Sequence, residues 1–267
     1  MSKGLSLFYD IYPMSNLATK HAHPRDQHIS FDEASHIYTV KGSSKGYVSV
    51  TKFLGSFHDK FDADKVIKGI KASPKWPQSP YFGMSDADIK KQWTENGVKA
   101  SGAGTALHLA IEQFLEGQEI TNRGVLETPE WAYFLEFWKQ HEGVLEPYRM
   151  EWSVFSEDHK IAGQIDAVFR RKSDGAFFIY DWKRVKEIKQ ENPFQSCLDP
   201  VRHLPDTNYW HYTLQLNLYR HLLETYYGMR IEGLYLIVLH PDFPTYRKLR
   251  LNRLETEIED LMATRIK

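Results

Sequence analysis

Acidic residues interrupt two consecutive apolar runs in the middle of this chain. The segment from Ile161 to Arg184 reads IAGQIDAVFRRKSDGAFFIYDWKR, with Asp166 inside the first run and Asp181 at the end of the second. The Ser-Asp-Gly sequence that ends at Gly175 separates the two runs and is typical of a hairpin turn. A charged group in an apolar strand is costly unless it is paired. A fold that contains this hairpin must therefore supply partners for both carboxylates.

The spacing of these residues indicates a site for metal-assisted chemistry. Asp181 and Lys183 are two residues apart, so a strand places both side chains on one face, and a hairpin brings Asp166 beside them. Two neighbouring carboxylates repel each other, and Mg²⁺ or Mn²⁺ relieves that repulsion. Such a cation polarises a phosphate and acidifies a bound water, while Lys183 stabilises developing negative charge. The alternative is a solvated strand end with no chemical role.

The surrounding sequence predicts an α/β fold with a mixed central sheet flanked by helices. Alternation and turn residues predict three antiparallel strands at residues 150–155, 160–170 and 177–183. A helix at 208–227 and an apolar strand at 234–239 follow, and this order predicts a crossover helix packed on the sheet. A strand at 246–251 and a helix at 254–266 complete the pattern.

The pattern of the first hundred residues predicts a cap that is added to the main α/β core. Residues 28–40 contain two short strands, and a further strand at 47–51 suggests a β-meander. Residues 62–99 are mostly helical and polar. A helix is predicted from Gly104 to Leu115, and another starts at Thr128 with Pro129 behind its cap. We therefore expect a β and helical cap at residues 1–100 and the main α/β core at residues 101–267.

Charge and cysteine content limit the possible classes. The 267 residues include 34 Lys and Arg and 35 Asp and Glu, so a polyanion would require locally gathered basic groups. Cys197 is the single cysteine, which excludes an internal disulfide and a four-cysteine cluster. The 12 histidines show no H-E-x-x-H zinc motif. With no signal peptide in MSKGLSLFYDIYP and no membrane-length apolar run, we expect an intracellular protein.

Residues near the hairpin carry further hypotheses. The basic side chains that follow Asp181 are candidate phosphate contacts: Lys183, Arg184, Lys186 and Lys189. The nearby aromatic residues either stack on bases or belong to the core: Trp182, Tyr209, Trp210 and Tyr212. The proline-bearing segment 189–206 is either a lid over the site or a poorly ordered linker.

Four motifs in this order resemble the PD-(D/E)xK nuclease superfamily, and more narrowly its RecB-type, exonuclease V-like members. They are Gly104–His108 (GTALH), Gly163–Asp166 (GQID), Asp181–Lys183 (DWK) and Gln215–Tyr219 (QLNLY). No proline precedes Asp166, as in many RecB-type members. The chain has neither the cysteines that hold an iron–sulfur cluster in several relatives nor a P-loop motif of an ATP-driven motor.

The resemblance implies a restriction-endonuclease-like core with Mg²⁺ or Mn²⁺ as cofactor. Its expected metal ligands are His108, Asp166, Asp181 and the backbone carbonyl of Trp182. Lys183 would be the catalytic lysine, and Gln215 and Tyr219 would hold the DNA or the site. Glu151 corresponds to an acidic position of some members. Glu112, four residues after His108, is either a partner of that histidine or a solvated acid.

The expected function is a metal-dependent DNA nuclease that hydrolyses phosphodiester bonds, as an exonuclease in DNA repair, recombination or replication. Its partner would be DNA that is single-stranded or has free ends. Three alternatives stay open: an endonuclease, a catalytically inactive nucleic-acid-binding protein with a nuclease fold, and a glycoside hydrolase that uses the paired carboxylates.

Overall fold

A computed structural model describes residues 16–265, in which helices flank a mixed sheet of six strands. The N-terminal MSKGLSLFYDIYP and Ile266, expected in the last helix, lie outside the described residues. The strands are β1 (Ile29–Asp32), β2 (Ile37–Val40), β3 (Val48–Ser49), β4 (Leu145–Ser156), β5 (Ile161–Arg171), β6 (Phe177–Lys183), β7 (Ile231–Val238) and β8 (Arg247–Arg250). The helices are α1 (Leu17–Lys20), α2 (Val50–Leu54), α3 (Ala63–Ala72), α4 (Asp86–Leu115), α5 (Pro129–His141), α6 (Asn208–Tyr226) and α7 (Glu255–Ala263).

The predicted meander and crossover are confirmed. Strands β4, β5 and β6 are antiparallel neighbours, and Gly175 takes a positive φ of 75° in the turn between β5 and β6. Helix α6 then returns the chain so that β7 lies parallel to β6, and β8 pairs antiparallel with β7. Helix α6 ends just before Gly228, whose φ of 65° favours glycine.

Strand β5 holds the sheet together because it has three partners. Along one edge it pairs with β4, and along the other with β3 at one end and β6 at the other. The β3 pairing covers Ile161 and Ala162, whereas the β6 pairing covers residues 167–170. Residues 163–166, the GQID motif, lie between these two paired segments. Strand β6 leaves β5 after Tyr180 but stays beside β7 as far as Lys183.

Two expectations are wrong: the place of the strand at residues 47–51 and the start of the helix at Gly104. Residues 47–51 do not extend the β1–β2 hairpin, because β3 joins the main sheet parallel to β5. Helix α2 follows at once, since Ser49 Oγ caps it by accepting from the Lys52 amide at 3.1 Å. Helix α4 begins at Asp86 rather than Gly104 because Ser85 caps it and its glycines fit within the helix. This helix crosses residue 100, where the domain division was placed.

Buried side chains form two main clusters separated by the sheet. One packs against α6 and includes Val50, Ile165 and Leu218. The other packs against α4 and α5 and includes Ile111 and Phe134. A linker is the wrong description of segment 189–206, because it buries side chains in the first cluster and its Leu198 amide donates to the Phe57 carbonyl at 2.8 Å. Among residues 16–265, no helix is long and apolar enough to cross a bilayer.

Gly163 allows α6 to approach β5. A Cβ atom at this position would lie 2.7 Å from Tyr219 Cε1 and 2.8 Å from Val50 Cγ2. We expect Gly163→Ala to lower the free energy of unfolding by about 1–3 kcal/mol, measured in urea, because neither neighbour has room to move. Gly97→Ala is the matched control, since its Cβ meets nothing within 4 Å, and helix propensity predicts a gain of about 1 kcal/mol or less. Equal stability of the two variants would contradict this packing.

Candidate active site

Strand register places three acidic residues in a row across β4, β5 and β6. Met150 pairs with Ala167 and Trp152 with Ile165, so Glu151 lies opposite Asp166. The pairing of Ala167 with Tyr180 likewise places Asp181 opposite Asp166 when it is extended by one residue. The row lies where β6 stops pairing with β5, so side chains from other elements can contact the acids there.

The alternation of side chains changes at this row. Met150 belongs to the cluster under α4 and α5, whereas Trp152, two residues later, belongs to the cluster under α6. Ala167 and Ile165 change sides in the same way around Asp166. Glu151 has a positive φ of 43°, a conformation that costs a non-glycine residue about 1–3 kcal/mol. The backbone is therefore distorted at the position where the acids meet.

His108 on α4 completes a cluster with two of these acids. Potential ligand atoms of His108, Glu151 and Asp166 all lie within 4.8 Å of one another. His108 Nε2 donates to the Trp182 carbonyl at 2.8 Å, and Nδ1 lies 3.5 Å from Asp166 Oδ2. In a neutral imidazole this Nδ1 is an acceptor that faces another acceptor. A cation between the two atoms would satisfy both.

Asp181 and Lys183 form an ion pair beside this cluster. Lys183 Nζ lies 2.6 Å from Asp181 Oδ2, and the Asp181 side chain is 2% exposed. Neither carboxylate oxygen of Asp181 accepts a well-directed hydrogen bond from any described residue. Lys183 Nζ also lies 5.0 Å from the centre of the Tyr212 ring. Asp181 thus retains carboxylate lone pairs that are free to accept a hydrogen bond or bind a cation, next to the three-residue cluster.

The electrostatics of the row disfavour the simultaneous ionisation of its three carboxyl groups. Burial and the Asp166 carboxylate raise the pKa of Asp181 to about 6 despite the Lys183 ammonium. Burial, Asp166 and Glu112 raise the pKa of Glu151 well above its usual value. Burial lowers the pKa of Lys183, but Asp181 and Asp166 outweigh it and raise that pKa above the usual range. The acids are therefore short of positive charge, whereas Lys183 keeps its proton.

The residues present fit a divalent cation, with a donor set that differs from the expected one. Carboxylate oxygens from adjacent strands and one imidazole suit Mg²⁺ or Mn²⁺. The ligand cluster contains Glu151 in the place expected for Asp181, which is instead paired with Lys183. The Trp182 carbonyl accepts from His108 in this arrangement. Sequence reasoning underrated Glu151, although counting back from Asp166 across the hairpin places it opposite that residue.

Gln215 and Tyr219 lie at different depths on α6. Gln215 lines the cleft beside Lys183, and its Nε2 donates to Tyr219 Oη at 3.4 Å. Tyr219 is buried, and its ring packs against the Gly163 backbone. The two motifs therefore meet in space: the glycine of GQID leaves room for the tyrosine of QLNLY.

Two cavities meet at Gly104 and His108. One, of about 760 Å³, lies between β1 and α4 and is lined by Glu112, Glu151 and Gln164 among others. The other, of about 510 Å³, lies between α4 and α6 and is lined by Lys183 and Gln215 among others. Glu112 is half-buried in the first, and burial and Glu116 raise its pKa. Glu151 lines the first cavity and Lys183 the second, while Gly104 and His108 line both.

The neighbouring basic and aromatic residues mostly have structural partners. Arg184 Nε donates to Glu130 Oε1 of α5 at 2.7 Å, and Trp182 is buried against Phe134 and Phe137. Lys186 lies 3.1 Å from Asp242, on the surface. Lys189 pairs with Glu187, Tyr209 is buried, and Trp210 donates to the Gln190 carbonyl. Four members of these two groups line the cleft together: Trp182, Lys183, Arg184 and Tyr212.

Comparisons with known proteins leave the family open. No family model matches the chain, and no curated protein matches it. Among solved structures, the crystal structure of SSO0001 aligns with 82% of this chain and 74% of its own, at 13% identity and a TM-score of 0.32. A similarity this low supports no inference about fold or function.

The raised carboxyl pKa values predict proton-linked cation binding. Protons compete with Mg²⁺ for carboxylates; the pKa of the ligand Glu151 is raised well above its usual value, and that of the neighbouring Asp181 is raised to about 6. We expect the Mg²⁺ affinity to fall as pH decreases from 7.5 to 5.5, by about tenfold per unit for each proton displaced. Calorimetric titrations at three pH values measure this, with Asp166→Asn as the variant that loses binding. A pH-independent affinity would contradict the site.

Proposed function

We propose that this protein is a metal-dependent DNA nuclease that hydrolyses phosphodiester bonds. The observation that supports it best is the meeting of Glu151, Asp166 and Asp181 from adjacent strands with His108, at an open cleft that also contains Lys183. This combination supplies ligands for a cation and a permanent positive charge at one place. A solvated strand end would not require buried acids or a strained Glu151.

The chain's own residues suit phosphate chemistry. Glu151, Asp166 and His108 would hold Mg²⁺ or Mn²⁺, with Asp181 beside them; when bound, such a cation neutralises phosphate charge and makes a water more acidic. The negative charge of Asp181 raises the pKa of Lys183, so the lysine keeps its proton. Its Nζ can therefore donate to a phosphate oxygen or orient a water. Gln215, on the same cleft wall, can donate to the nucleic-acid backbone.

The finer assignment rests on the motifs. The GTALH, GQID, DWK and QLNLY order supports a restriction-endonuclease-like core of the RecB type, and that type favours exonuclease action on free DNA ends. A glycoside hydrolase fits less well, because a lysine ion-paired with one of its two acids has no role in acid–base cleavage of a sugar bond. The endonuclease and binding-only alternatives are separated by experiment.

The first test is cleavage of end-labelled linear single- and double-stranded DNA and of closed circular DNA, with Mg²⁺, Mn²⁺ or EDTA. We expect metal-dependent loss of the linear DNA and intact circles. Asp166→Asn should abolish cutting because a ligand is lost. Lys183→Gln should reduce kcat on the order of 100–1,000-fold, as for loss of one preorganised charge-stabilising donor.

Each matched control variant makes the same substitution type, Asp to Asn or Lys to Gln, at a residue far from the cleft. Asp260→Asn on α7 and Lys139→Gln on α5 alter exposed side chains away from the cleft and should cut normally. Cutting of circles as well would keep the chemistry but make the enzyme an endonuclease. DNA binding without cutting, by folded and metal-supplied protein, would favour the binding-only alternative.

The cleft provides a second test through two glycines of α4. Gly104 lines both cavities, whereas Gly102, on the same helix, is exposed and lines neither. Neither Cβ would meet an atom within 4 Å, so both positions accept a larger side chain sterically. We expect Gly104→Phe to lower kcat/KM by about tenfold or more, equivalent to about 1.4 kcal/mol, with an unchanged Tm. Gly102→Phe should retain activity, and equal rates would show that substrate does not use this cleft.

A further inference from the structure

A second group of possible ligands lies outside the candidate active site. His58 follows the short helical turn Gly55–Phe57, Asp206 ends the segment after β6, and His211 is in the first turns of α6. Potential ligand atoms of the three residues all lie within 4.8 Å of one another. Two distant parts of the chain, one at His58 and one around Asp206 and His211, therefore bring two imidazoles and a carboxylate to one point.

The carboxylate of Asp206 is fixed between the two histidines. Its Oδ1 lies 2.6 Å from His211 Nε2 and 3.7 Å from His58 Nδ1. Its Oδ2 accepts a hydrogen bond from the Asp59 amide at 3.2 Å, which orients the group. The two imidazole rings are 3.6 Å apart between centroids. Hydrogen bonds of this kind from outside the ligand set commonly orient metal ligands.

The unpaired ring nitrogens of His58 independently indicate a ligand-binding site. Its side chain is 9% exposed, yet neither ring nitrogen has a hydrogen-bond partner among the described residues. Buried polar atoms are normally satisfied, because an unsatisfied one costs more than a hydrogen bond gains. Burial, aided by His211 and opposed by Asp206, lowers the pKa of His58 to about 4. The ring is therefore neutral near pH 7, which is the form that binds metals.

We propose that His58, Asp206 and His211 bind a divalent transition-metal cation, Zn²⁺ by the chemistry of the donors. In a tetrahedral site with bonds of about 2.0–2.1 Å, ligand atoms lie about 3.3 Å apart. The separations from Asp206 Oδ1, 2.6 and 3.7 Å, lie on either side of that value, so side-chain rotations on binding would bring both nitrogens to the tetrahedral spacing. The His211 side chain is 36% exposed, which leaves water access for the fourth position.

This site differs from the candidate active site in its ligand types and in the effect that a bound ion would have. Two imidazoles favour Zn²⁺ over Mg²⁺, whereas the row of carboxylates favours the harder cation. The ion would fasten segment 189–206 and His58 to α6, the helix that carries Tyr212 and Gln215. It would therefore stabilise the folded state, because its ligands come together only on folding. The inference does not depend on the proposed nuclease activity.

The test measures zinc itself. Chelator-stripped protein carrying Asp166→Asn, which weakens the candidate active site, is dialysed against Zn²⁺ and analysed by mass spectrometry of the metal. We expect about one zinc per chain, and a zinc-dependent rise in Tm. Adding His58→Gln or His211→Gln should remove both effects. Adding His203→Gln, at an exposed histidine paired with Glu257, should leave both unchanged.

Two results would overturn the proposal: no stoichiometric zinc in the Asp166→Asn protein, or undiminished zinc in the His58→Gln and His211→Gln proteins. If those two variants fail to fold, wild-type crystals soaked in ZnCl₂ decide the matter. An anomalous-scattering peak among His58, Asp206 and His211 would support the site, and its absence there would refute it.

Discussion

The separation of β6 from β5 after Tyr180 is the constraint on which the candidate site depends. Beyond that residue β6 stays paired with β7, so its backbone groups facing β5 need other partners. The Trp182 amide donates to Asp166 Oδ2 at 3.0 Å, and its carbonyl accepts from His108. One residue thus ties the acid of β5 and the histidine of α4 to the end of β6.

The side chain of Trp182 stabilises that arrangement by packing against α5. It is buried and makes edge contacts with Phe134 and Phe137 of α5, at 5.6 and 5.5 Å between ring centres. Arg184, two residues later, is held by Glu130 at the start of the same helix. Strand β6 therefore cannot slide relative to α5 without breaking aromatic packing and an ion pair. The polar atoms of the site are positioned by apolar contacts beneath them.

Charge concentrated in the row has an energetic cost that the rest of the fold must offset. Three acids and one lysine lie at the boundary of two apolar clusters, and Glu151 has a strained backbone conformation. Replacing such groups by well-packed apolar residues is often neutral or stabilising, so they do not favour stability on their own. A bound cation would relieve both the repulsion among the acids and the unsatisfied capacity of Asp181.

The sequence by itself determined the local elements around the site. The strands at 150–155, 160–170 and 177–183, the cap at Thr128 and the helix that ends before Gly228 follow from alternation, turn residues and capping, which act over a few residues. The juxtaposition of Asp166 with Asp181 also follows, because a hairpin turn sets its own register. The predicted start of α4 at Gly104 was wrong, because the helix begins at Asp86 behind the Ser85 cap.

Only the tertiary structure decided which distant groups meet. The pairing of β3 with β5, the place of His108 beside Glu151 and Asp166, the ion pair that holds Arg184, and the convergence of His58 with Asp206 and His211 all join residues far apart in the chain. These contacts depend on how helices pack across the sheet and on small spaces such as the one that Gly163 leaves for Tyr219. Local patterns carry no information about such distances, because the free energy that sets them comes from burying many side chains at once.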